Sequence, residues 1–71
     1  MKEKTKTGQI ISLMSNKRYG FIQDDDGEFS SNIFFHYNDF MEDETPKVYQ
    51  RVKFEVGTFR DKTCAKNVRY V

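Results

Sequence analysis

The sequence predicts an all-β fold, a small five-stranded antiparallel barrel, and three observations lead there. Nowhere do ten or more residues carry apolar positions three and four apart, the pattern of a helix packed on a sheet. Five short runs rich in aromatic and branched residues are separated by turn-forming segments. With no helix to cover it, a sheet of such strands removes its exposed edges by closing on itself.

Met1 to Lys6, MKEKTK, is polar after the initiator and reads as a flexible N-terminal arm (residues 1–6), leaving residues 7–71 as one domain. Gly8 opens the first strand, QIISLM, with Ile10 and Leu13 as its inward candidates. Lys17 to Gln23 is the second strand. Asp24 to Gly27, DDDG, is a turn, because Asp-Gly favours the positive φ angles of a tight connection. Asn32 to Tyr37 is the third strand, rich in aromatic and branched side chains. Asn38 to Lys47 holds the only proline and much of the acid, and reads as a loop with room for one short helical turn. In the fourth strand Val52, Phe54 and Val56 alternate with Arg51, Lys53 and Glu55. Gly57 to Thr63 is a connection, and CAKNVRYV closes the chain as the fifth strand.

The chain has 71 residues. A domain of that size buries only about 60% of the surface its unfolded chain exposes, so its core is thin. Cys64 is the single cysteine, and no Cys/His set has metal-ligand spacing. No apolar run approaches the roughly 18 residues of a membrane span, and no signal-peptide core follows the early lysines. The expectation is a soluble cytoplasmic protein without membrane contact, cofactor or metal. Twelve Lys+Arg stand against eleven Asp+Glu, which excludes a uniformly basic binder but not charge gathered on one face. Acids gather at Asp24-Asp25-Asp26 and Glu42-Asp43-Glu44, bases at Lys17-Arg18 and from Arg51 to Arg69. Both acidic runs read as solvated loops; three consecutive aspartates do not match the spaced oxygens of a calcium loop. No phosphate-cradling glycine loop or catalytic triad is present, so the chain does not read as an enzyme and no small-molecule substrate is expected.

Side chains alternate along a strand. Placing Ile22 in the core puts Gly20 beside it, where a barrel bends or another backbone comes close, and turns Tyr19 and Phe21 outward. Placing Ile33 and Phe35 inside turns Phe34 and His36 outward. If the two strands pair, Tyr19, Phe21, Phe34 and His36 form one exposed aromatic patch, and such patches mark interaction surfaces. The plainer reading is a second small hydrophobic cluster, with His36 a surface residue, Phe29 and Phe40 anchors over the barrel ends, and Tyr49 and Tyr70 packing residues. Cys64 reads as a small strand or core residue, and Ile11 as the one apolar residue with no obvious core role.

KRYGFI resembles the first ribonucleoprotein motif of the cold-shock domain family, K-G-F/Y-G-F-I, and IFFHY resembles the second, V-F-V-H-F. Thr7-Gly8, Val52-Lys53-Phe54-Glu55 and Ala65-Lys66-Asn67-Val68 are similar to its first, fourth and A-x-N-V closing strands. The resemblance runs from Thr7 to Val68 and implies a five-stranded OB-type barrel that binds single-stranded RNA or DNA; the expected state is a monomer or weak dimer. It places the stacking side chains at Tyr19, Phe21, Phe34, His36 and Tyr37, with Lys17 beside the backbone track. Arg18, in place of the motif's first glycine, and Lys53 are candidate phosphate contacts. Phe59 either supplies another ring or folds back on the barrel end.

The first strand departs from the family's V-K-W-F-N. Ser12 stands at the tryptophan and Ile11 at the basic residue before it. The loop after the third strand is short, and Lys62-Thr63 replace a glycine-proline. The expected function is single-stranded nucleic-acid binding through an aromatic platform, in the manner of an RNA chaperone, with weaker binding than a full set of rings would give. The alternative is a protein-interaction or self-associating barrel.

Overall fold

Short strands with one apolar face can bury that face only if the sheet curls over it. In a computed structural model of the chain, which describes residues 5–27 and 32–71, the sheet closes into a barrel in the order β1-β2-β3-β5-β4. The strands are β1 Thr5–Met14, β2 Tyr19–Asp24, β3 Ile33–His36, β4 Arg51–Phe59 and β5 Lys62–Tyr70, with a 3-10 turn at Tyr37–Asp39. Neighbours are antiparallel except β3 and β5, which run parallel with Phe34 opposite Cys64. The barrel is therefore mixed rather than wholly antiparallel. An odd number of strands closed in a ring cannot alternate direction throughout.

Ile10, Ile22, Ile33, Phe35, Phe40, Val52, Phe54, Ala65 and Val68 form the core, with Leu13, Tyr37, Val56 and Tyr70 packed against it. Phe40 anchors the segment after β3 by bridging to Val68, its ring 5.6 Å from that of Tyr70. Tyr49, expected to pack, is instead 70% exposed. Phe29 lies outside the described residues, as do residues 1–4.

Strict alternation would send Ile10 and Leu13 to opposite faces. Ile10 opposes Ile22 but Ser12 opposes Phe21, so Ile11 is an extra residue in a β-bulge, and both Ile10 and Leu13 turn inward. The same device works in β5. Glu55 opposes Lys66 while Lys53 opposes Arg69, and Asn67 takes a left-handed φ of 51° within the inserted residues. Ala65 and Val68, three apart, are thereby both fully buried. Asparagine accepts this conformation more readily than most residues.

Gly20 packs as its position suggests: a Cβ there would lie 2.7 Å from both Leu13 Cδ2 and the Ser12 carbonyl oxygen. Two other segments differ from the sequence reading. Gly57 to Thr63 is not a loop, because β4 and β5 continue as one hairpin to Phe59 and Lys62. The two-residue turn between them, Arg60-Asp61, has φ of 54° and 66°. Such turns usually carry Asn-Gly, so the sequence held no signal for this one.

The acidic turn is no solvated connector either. Lys6 Nζ lies 3.0 Å from Asp26 Oδ2 and 3.6 Å from the buried Asp24. Asp25 accepts from Thr7 Oγ1 at 2.8 Å and from both terminal nitrogens of Arg51 at 2.8 and 2.5 Å. The turn clamps the starts of β1 and β4 together, so Thr5 and Lys6, expected in the arm, belong to the sheet.

A Gly20→Ala variant is expected to lose about 1–3 kcal/mol of stability, as overpacked cores do, measurable by denaturant unfolding. The Arg51 guanidinium, with help from Thr7, holds Asp25 at about 2, below its ordinary 3.8. A depressed carboxyl stabilises the fold fully above its unfolded value and loses that contribution as pH falls through its folded value. Thermal melts between about pH 4 and pH 2 should therefore show a steeper loss for the wild type than for Asp25→Asn.

Candidate nucleic-acid interface

Strands β2 and β3 pair with Tyr19 opposite His36, Gly20 opposite Phe35, Phe21 opposite Phe34 and Ile22 opposite Ile33. Since Gly20, Ile22, Ile33 and Phe35 are buried, pleat geometry sends the alternate residues outward together. The rings of Tyr19, Phe21 and Phe34 form a cluster, with centroids 5.9 Å (Tyr19–Phe21), 5.2 Å (Tyr19–Phe34) and 6.0 Å (Phe21–Phe34) apart. All three are half-buried, each bracing the next while leaving surface exposed. On β1, Ser12 faces Phe21 across the ladder and brings no ring.

His36 borders this cluster. Its Nδ1 accepts from the backbone N–H of Asn38 at 3.0 Å, capping the 3-10 turn. That bond orients the imidazole and leaves Nε2–H as the donor of the neutral ring.

Phe59 joins from the other side. The long β4–β5 hairpin carries it past the barrel wall, 54% exposed. With Phe21 and Phe34 it lines an apolar cavity of about 390 Å³ rimmed by Arg60 and Lys62. With Phe34 and His36 it lines a second, of about 280 Å³, bordered by Lys66. The Arg60 guanidinium sits 5.2 Å from the Phe59 ring centroid, within cation–π range. Cys64 is buried on the floor of both cavities. Arg60, Lys62 and Lys66 were not singled out from sequence. Had the two-residue turn been recognised, alternation along β5 would have found Lys62 and Lys66, with Arg60 in the turn itself.

Lys17 and Arg18 are exposed on the turn leading into β2. Arg18 has φ of 60°, and its carbonyl accepts from the Tyr37 N–H at 2.9 Å. Two expected residues are not part of the cluster. Tyr37 turns inward, on the face of Ile33 and Phe35, and stacks on Phe35 at 6.4 Å with 18° between planes. Lys53 points into a separate groove on the β4–β5 side.

A family profile described as "'Cold-shock' DNA-binding domain" matches residues 6–71. The chain belongs to the cold-shock domain family. Cold-shock domains bind nucleic acid and are not enzymes. Among solved structures, "drosophila Unr CSD456" superposes with a TM-score of 0.81 at 23% identity, covering 97% of this chain and 27% of that one. At that identity the likeness shows the fold, and this chain spans about a quarter of the other's length. No curated protein sequence matches.

The Tyr37 hydroxyl is buried with no hydrogen-bond partner among the described residues, a costly arrangement for a polar group. Tyr37→Phe is expected to leave this cold-shock domain as stable as the wild type or up to about 1 kcal/mol more so, with unchanged oligonucleotide affinity. Calorimetric melts and a binding titration check the two halves.

Proposed function

We propose that this cold-shock domain binds single-stranded RNA or DNA by stacking bases on Tyr19, Phe21, Phe34 and Phe59, with His36 at the margin. The observation that carries the proposal is the outward ring cluster on β2 and β3, continued by Phe59 across two cavities. Every base has a π-face, so rings held on a rigid sheet take single strands with little sequence preference, at about 1–3 kcal/mol per stacked base. Arg60, Lys62 and Lys66 line the ring cavities, and Lys17 and Arg18 precede Tyr19 on the turn into β2; in this reading the five meet phosphates. Such a domain acts as an RNA chaperone by mass action: it holds the unpaired state and shifts the folding equilibrium of the strand, without nucleotide hydrolysis.

The rings do not by themselves read a 2′-hydroxyl, so RNA and DNA of the same sequence are expected to bind comparably. Phe21→Ala and Phe34→Ala should each cost about 1–3 kcal/mol of affinity for oligo-dT or oligo-U, read by fluorescence anisotropy at fixed salt, with the barrel still folded. Ser12→Trp should strengthen binding by a similar amount, because it supplies the ring the platform lacks beside Phe21. Normal binding by both alanine variants would rule out stacking on this face and turn attention to a protein partner.

A further inference from the structure

We infer that the barrel carries a second phosphate-binding site, built on Lys53 and Arg69 away from the rings; it rests on the proposed binding of single strands. Lys53 and Arg69 face each other directly across β4 and β5, and both are exposed. Like charges in that position destabilise a sheet. Among the described residues Lys6 is set against Asp24 and Asp26, Arg51 against Asp25 and Lys47 against Glu44, while Lys17, Arg18, Arg60, Lys62 and Lys66 on the side of the rings have no carboxylate in ion-pair range. Lys53 and Arg69 have no carboxylate in ion-pair range among the described residues.

The two cations line a polar groove of about 290 Å³ together with Thr5, Glu55 and Asn67. Glu55 is held by Asn67, whose Nδ2 donates to Oε1 at 3.0 Å. That carboxylate sits two residues along β4 from Lys53, so the anion-attracting end of the groove is the Lys53–Arg69 pair. No residue of this groove lines either ring cavity.

A phosphodiester fits the site better than an acidic protein segment does. Among the described residues that line the groove Phe54 is the only apolar one, and it is 1% exposed, so they offer none of the apolar anchors that stabilise protein interfaces. A strand long enough to run off the platform brings its phosphates around the barrel to the pair. Short strands end before reaching it.

The test compares oligo-dT of about 6 and about 20 nucleotides, either side of the roughly 4–16 an OB-type barrel engages. Each is kept in excess over protein, and affinity is measured across a salt series. Two added contacts at about 0.7 each should make the salt slope of the long strand steeper by roughly 1.4. Lys53→Ala/Arg69→Ala should abolish that difference, leave the short strand's affinity unchanged, and melt no lower than wild type. Equal slopes for the two lengths in the wild type, or a difference that survives in the double variant, overturn the second site. Failure of the short strand to bind at any salt overturns the platform reading itself and, with it, this inference.

Discussion

The register between β2 and β3 is the constraint on which everything else depends. Four facing pairs put Gly20, Ile22, Ile33 and Phe35 on one side and Tyr19, Phe21, Phe34 and His36 on the other. A slip of β3 by one residue would turn Ile33 and Phe35 outward and Phe34 and His36 into the core. Gly20 holds the register, since any side chain there meets Leu13, Ser12 and Phe35 at 3.0 Å or less. Core packing and ring display are therefore two consequences of one geometric choice.

The remaining strands close the barrel without disturbing that choice. A bulge at Ile11 lets β1 pack both Ile10 and Leu13 inward while keeping Ser12 outward beside Phe21. The bulge at Asn67 does the same for Ala65 and Val68. The Asp25–Arg51 pair, with Thr7, joins the far ends of β1 and β4. At the near end the hairpin needs two non-glycine residues in left-handed conformation, Arg60 and Asp61. Left-handed backbone is costly for such residues, and here it places Phe59 and the Arg60 cation beside the ring cluster.

What was legible in the sequence is what period-two alternation encodes. The inward and outward sets of β2 and β3, the β4 core residues and the close approach at Gly20 all follow from it. What was hidden depends on departures from that period or on distant partners. Tyr37 shares the inward parity of Ile33 and Phe35, and only the family resemblance set it among the stacking residues; its ring lies over Phe35. Lys53 is outward as read, yet near the start of β4 it lies between β1 and β5, away from β2 and β3, which only the far end of β4 at Phe59 reaches. The aspartates of the turn resembled solvated loop residues because their cations lie about twenty or more positions away in the chain. A two-residue turn without glycine gave no mark of where β4 ends.

The most direct test of the account is the aromatic-ring NMR spectrum of the protein before and after adding a short oligo-dT. Stacked bases shift the protons of the rings they cover. Stacking on this platform requires ring-proton shifts at Tyr19, Phe21, Phe34 and Phe59 that weaken as salt rises, with the rings of Phe35, Tyr37 and Phe40 unmoved. Saturating oligonucleotide that leaves the first four rings unchanged would contradict it.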